Sequence, residues 1–75
     1  MEFIEMSGRT LLALAKEGGP SVEELATVGV DDRSIVRVNR QGDIEIRRAN
    51  GWDLIGGLLG DFETRVRHET GLDWA

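Results

Sequence analysis

Apolar and polar residues follow a helical period in the C-terminal third of the chain, from Asn50 to Leu72. At about 100° per residue, one stripe of this segment is apolar and the opposite side is acidic or polar. Asn50 can cap the first turn, and Gly71 supplies the left-handed residue that ends many helices. The pattern predicts a long C-terminal helix over about residues 51–70, with an apolar stripe of Trp52, Ile55, Leu59, Phe62 and Val66.

Three glycines interrupt this predicted helix, at positions 56, 57 and 60. Each of them costs roughly 1 kcal/mol relative to alanine in a helix interior. Gly56 and Gly60 lie four residues apart beside the apolar stripe, where missing side chains let another backbone approach closely. That backbone belongs either to this fold or to a partner. A kink at Gly56-Gly57 is a third interpretation.

Residues 34–48 show the alternation and the turn of a β-hairpin. Gly42 suits the tight turn, and the β-branched residues on either side favour strands. The outer face of this hairpin sets Arg37 near Glu45. A lone hairpin is barely stable, so we expect it to pack on the long helix or to gain a strand. That strand is either residues 2–6 or a strand of a second copy across an open edge. Its predicted core face consists of Val36, Val38, Ile44 and Ile46.

Two shorter helices are predicted before the hairpin. Ser7 is a plausible cap for a helix that reaches Glu17, and Ser21 to Glu24 spells a capping box for a second helix. Seventy-five residues make one domain with a small core. The prediction is therefore a single α+β domain over residues 1–75, with two N-terminal helices and a hairpin packed on the long C-terminal helix.

The charge of the chain is uneven, and its basic part coincides with the predicted hairpin. The net charge is −5 overall, with −5 over residues 1–32, +3 over residues 33–48 and −3 over residues 49–75. An acidic chain disfavours nucleic acid as a partner. The arginines of the hairpin instead form an electrostatic patch that would steer an acidic partner. This predicted patch consists of Arg37, Arg40, Arg47 and Arg48.

The residue types that carry catalysis or bind metals and cofactors show no arrangement typical of such sites. The single histidine, His68, falls in the last turn of the predicted long helix, where a cation complements the helix dipole. The chain has no cysteine, which fits a reducing compartment. No apolar run reaches the roughly 18 residues of a membrane span. We expect a non-enzymatic cytoplasmic protein with no cofactor, no metal and no membrane partner.

Residues 21–40 resemble a bacterial helix-turn-helix. A short capped helix is followed by a Gly29-Val30 turn and by Ser34 to Arg37 as a reading helix. The resemblance implies that Ser34, Arg37 and Arg40 face DNA. A related winged-helix arrangement would use the arginine hairpin as the wing. A small DNA-binding regulator is therefore the alternative function.

The two tryptophans point to a protein partner as the first expectation. Tryptophan contributes a large apolar area and dominates interface energetics, so an exposed tryptophan beside Leu54 or Ile35 would mark a contact surface. The chain is therefore expected to be a protein-interaction or assembly module that binds a protein partner or a second copy of itself. The predicted partner-binding residues are Trp52, Leu54, Gly56, Gly60 and Trp74.

Overall fold

A four-stranded antiparallel sheet, whose strands are neighbours in their order along the chain, forms the centre of the fold. The computed structural model describes all residues from Met1 to Ala75. The strands are β1 (Phe3–Ser7), β2 (Ile35–Asn39), β3 (Asp43–Arg48) and β4 (Gly51–Gly57). The helices are α1 (Gly8–Ala15), α2 (Val22–Thr27) and α3 (Phe62–Thr70).

The predicted long C-terminal helix over residues 51–70 is wrong. Residues 51–57 form β4, which pairs with β3, and only residues 62–70 are helical. A helix through this segment would hold three glycines, each destabilising it by roughly 1 kcal/mol. As a strand, the segment gains backbone hydrogen bonds along β3 instead. Gly60 adopts a left-handed φ of +71° and turns the chain into α3.

The hairpin predicted over residues 34–48 is confirmed, although it belongs to a larger sheet. β2 and β3 pair antiparallel, with Arg37 opposite Glu45, and the four side chains expected on the core face are buried. The N-terminal strand β1 pairs with the other edge of β2. The reading helix that the helix-turn-helix resemblance implied is wrong, because the β-branched residues that follow Ser34 lie in β2.

Both N-terminal helices begin at the serine caps predicted from the sequence. Ser7 Oγ accepts a hydrogen bond from the backbone N–H of Thr10 at 3.2 Å. In the capping box of α2, Ser21 Oγ accepts from the Glu24 N–H at 3.1 Å and Glu24 Oε1 accepts from the Ser21 N–H at 3.2 Å. The longest helix, α3, has nine residues, and none of the helices is long and apolar enough to cross a membrane.

The hydrophobic core lies between the helices and one face of the sheet. Its buried side chains come from β1, β2, β3, all three helices and the C-terminal segment. Trp74 in that segment is only 3% exposed, and its indole Nε1 donates to the Val38 carbonyl at 2.9 Å. The Trp74 ring meets Phe62 edge to face, with 6.2 Å between the ring centroids. The packing of all three helices on one side leaves the other side of the sheet to the solvent.

Candidate interaction surface

The side of the sheet away from the helices, called the open face below, has its own set of side chains. Inward positions of β1, β2 and β3 are buried, whereas the alternating outward positions are half-buried or exposed. Outward positions of β4 follow from its pairing, since Leu54 lies opposite Glu45 and Trp52 opposite Arg47. The open face consists of Phe3, Glu5, Ser7, Ile35, Arg37, Asn39, Asp43, Glu45, Arg47, Trp52, Leu54 and Gly57.

An arginine held between two aromatic rings occupies the centre of the open face. The Arg37 guanidinium carbon lies 3.7 Å from the centroid of the Phe3 ring and 4.2 Å from that of the Trp52 ring. Arg37 Nε also donates to Glu45 Oε1 at 2.6 Å. The side chains of this ion pair are only 23% and 24% exposed, because the rings shield them. The stack therefore joins side chains of β1, β2, β3 and β4 in one cluster.

Two exposed aliphatic side chains lie on the open face. Leu54 is 63% exposed and Ile35 is 43% exposed. Single exposed apolar residues are normal, but these two share a face with Phe3 and Trp52. An apolar and aromatic group of this kind, around one arginine, has the composition of the centre of a protein interface. Most of the surface of Leu54 is not covered by any other residue of the chain.

The residues predicted to bind a partner do not lie on one surface. Trp52 and Leu54 are on the open face. Gly56 is on the core side of β4, where an added Cβ would lie 2.9 Å from Pro20 Cγ. Gly60 is in the turn before α3, and Trp74 is in the core. The small size of Gly56, the φ of Gly60 and the burial of Trp74 each have a cause within the fold.

The arginines of the predicted electrostatic patch also separate. Arg37 and Arg47 lie on the open face, and Arg37 is neutralised by its carboxylate partner. Arg48 turns to the core side, where it donates to the Val28 carbonyl at 2.8 Å and to an Asp53 carboxylate oxygen at 3.2 Å. Arg40 occupies the turn between β2 and β3. Four arginines divided in this way do not form one phosphate-binding surface.

Phe3 also lies on the open face, and sequence reasoning did not assign it to a site, whereas Ile35 was named only as a neighbour that would mark a contact surface. The proximity of Arg37 to Glu45 was predicted and is confirmed. The alternation of apolar and polar residues at Ile4, Glu5 and Met6 was a usable signal for β1. The shared contact of Phe3 and Trp52 with Arg37 had no local signal, since it depends on the pairing of strands that are distant in sequence.

Other candidate chemistry is sparse. No group of three or more His, Asp and Glu side chains is arranged to hold a metal ion, and His68 is exposed in the last turn of α3. Comparison with protein-family models, curated protein sequences and solved structures finds no match to this chain. The open face is therefore the surface whose exposed side chains most need a functional explanation.

Proposed function

We propose that this chain is a protein-interaction module that binds a protein partner, or a second copy of itself, through the open face. The observation that carries the proposal is the exposure of Leu54 and Ile35 beside the aromatic stack. Burial of apolar area is the main favourable term in protein association, and aromatic residues with arginine are enriched at interface centres. The stack is held by contacts within the chain, so we expect little side-chain entropy to be lost there on binding.

The chemistry of the open face favours a partner with an apolar centre and a mixed polar rim. Arg47 is exposed and makes no ion pair within the chain, and Glu5 is exposed near the opposite end of the face. A partner that is uniformly acidic or uniformly basic would meet a like charge at one of these positions. A binding role without catalysis, in the cytoplasm, belongs to the same proposal and is supported by the absence of cysteine and of a nucleophile–base pair in the sequence.

Selection of short random peptides on the immobilised chain tests this proposal, with two matched variants. Leu54 on the open face and Leu59 in the loop after β4 are 63% and 64% exposed. We expect Leu54→Asp to weaken binding of the selected peptides by at least about tenfold, since it places a charge in the apolar centre. Leu59→Asp adds the same charge at the same exposure and should leave binding unchanged.

The proposed binding through the open face can be disproved by two results. It is wrong if neither the selected peptides nor a second copy of the chain binds in a manner that depends on Leu54. It is also wrong if Leu54→Asp and Leu59→Asp weaken binding equally, because the open face would then have no special part. Circular dichroism of both variants establishes that each is folded before binding is compared.

A further inference from the structure

We infer that the partner of the open face is the same face of a second copy, related by a two-fold axis that runs across the strands above Glu45 and Leu54. This inference rests on the proposed function and names its partner. In such a dimer β3 of one copy lies over β3 of the other and runs antiparallel to it. The two β4 strands are arranged in the same way. The geometry is a two-layer sheet packing, in which the two faces lie about 10 Å apart.

This rotation brings opposite charges on the β3 strands of the two copies together. The outward side chains of β3 are Asp43, Glu45 and Arg47, in that order. Asp43 accepts a hydrogen bond from Asn39 Nδ2 at 3.0 Å but has no cationic partner, and Arg47 has no ion pair at all. The rotation places Arg47 of each copy over Asp43 of the other. The dimer therefore contains two contacts between opposite charges that have no ion-pair partner within their own chain. Glu45 meets its own copy, but each is already neutralised by Arg37.

Shape along β4 is complementary in the same sense. Trp52 pairs with Arg47 at one end of β4, Leu54 pairs with Glu45 at the middle, and Gly57 pairs with Asp43 at the other end. The rotation therefore places Leu54 against Leu54, and the backbone of Trp52, whose ring leans over Arg37, opposite the bare Gly57 of the other copy. The two β4 strands can therefore approach closely at this end.

The fold itself does not require glycine at position 57. Its φ is outside the left-handed region, and an added Cβ would meet only the Gly42 carbonyl oxygen, at an ordinary contact distance of 3.7 Å. Gly56 next to it differs, because a Cβ there would lie 2.9 Å from Pro20 Cγ. The fold therefore leaves room for a side chain at position 57, and in the proposed dimer the other copy would occupy that room.

The size of the open face sets the strength of this dimer. Four strands about 4.8 Å apart and five residues long, at about 3.4 Å per residue, give a footprint of roughly 300 Å². A standard interface buries about 800 Å² per partner, so a weak and transient dimer is expected. Glu5 on the edge strand β1 meets its own copy and further limits the affinity. Glu5→Gln should therefore strengthen association.

Exchange of the two charges provides the decisive test, by sedimentation and by NMR chemical shifts over a dilution series from about 10 µM to about 1 mM. Asp43→Arg and Arg47→Asp should each weaken self-association by at least about tenfold, because each creates two like-charge contacts. A one-to-one mixture of the two variants should associate again, since every Arg then meets an Asp. Gly57→Leu should weaken association while the monomer stays folded, and Leu59→Asp should have no effect.

The results that would contradict the dimer differ from those that would contradict the proposed binding function. A wild-type chain that stays monomeric at about 1 mM, yet still binds selected peptides through Leu54, overturns the dimer and leaves the proposed function standing. Self-association that is indifferent to the changes at positions 43, 47 and 57, or that the mixed variants do not restore, also overturns the dimer. Loss of both Leu54-dependent peptide binding and self-association overturns both.

Discussion

One arginine ties together parts of the chain that are far apart in sequence. Arg65 on α3 donates through Nη1 to the Leu14 carbonyl at 2.7 Å and through Nη2 to the Leu59 carbonyl. The first acceptor lies near the end of α1, where it also accepts from the Glu17 N–H at 3.2 Å, and the second lies in the loop after β4. A single side chain therefore holds α1, α3 and the exit of β4 in place behind the open face.

Replacement of this arginine should destabilise the fold more than replacement of an exposed one. Arg65→Ala leaves two carbonyls without their charged donor, and we expect a loss of about 2 kcal/mol in the free energy of unfolding. Arg47→Ala removes an exposed side chain without an ion pair and should change this free energy by no more than about 0.5 kcal/mol. Urea denaturation followed by circular dichroism compares the two. Equal midpoints would contradict the structural role of Arg65.

Local signals in the sequence were sufficient for three elements of the fold. The serine caps of α1 and α2 and the turn of the β2–β3 hairpin each depend on residues within a few positions of one another. Such contacts are visible in one short window of sequence. They therefore led to correct starts for both N-terminal helices and to a correct core face for the hairpin.

The segment from Trp52 to Val66 shows why the C-terminal part was not predicted. Its apolar residues fit a helical stripe, but Trp52 and Leu54 equally fit the outward side of a strand. The choice between these patterns is made by β3, which offers an edge to pair with, and by three glycines that disfavour a helix. Only two residues of the candidate site, Trp52 and Leu54, were identified among the predicted partner-binding positions, because the stack with Phe3 requires the whole sheet.

The start of α1 depends on a glycine for a reason of space. An added Cβ at Gly8 would lie 1.8 Å from the Asp31 carbonyl oxygen, and the Gly8 N–H donates to the Ser34 carbonyl at 2.7 Å. Gly8→Ala should therefore push α1 away from the segment that leads into β2, with a loss of about 1–3 kcal/mol. Thermal unfolding followed by circular dichroism measures this loss.

A second glycine provides the control for this element. Gly57→Ala adds a methyl group at ordinary contact distance in an extended strand, so the stability of the monomer should not fall. At a protein concentration too low for a dimer to form, Gly8→Ala should unfold at a clearly lower temperature than Gly57→Ala. A Gly8→Ala chain as stable as Gly57→Ala would show that α1 can shift without strain.

At the scale of the molecule, the core is small, so self-association should measurably raise the stability of the fold. A chain of this size buries only about 60% of its unfolded surface, so its stability is modest. A dimer that forms only from folded copies raises the midpoint of thermal unfolding as protein concentration rises. We expect this rise in the wild-type chain and in Leu59→Asp, and its absence in Leu54→Asp. Calorimetry over a range of concentrations measures it, and a midpoint independent of concentration in all three would contradict it.

The different settings of the two tryptophans give the molecule a pair of optical reporters. The indole of Trp74 is shielded and hydrogen-bonded to the Val38 carbonyl, so its fluorescence emission follows unfolding. The indole of Trp52 stands over a guanidinium on the solvent side of the sheet, so its emission and its collisional quenching follow occupation of that side. With Trp74→Phe or Trp52→Phe, either signal can be recorded alone, and ligand capture can be watched without an attached dye.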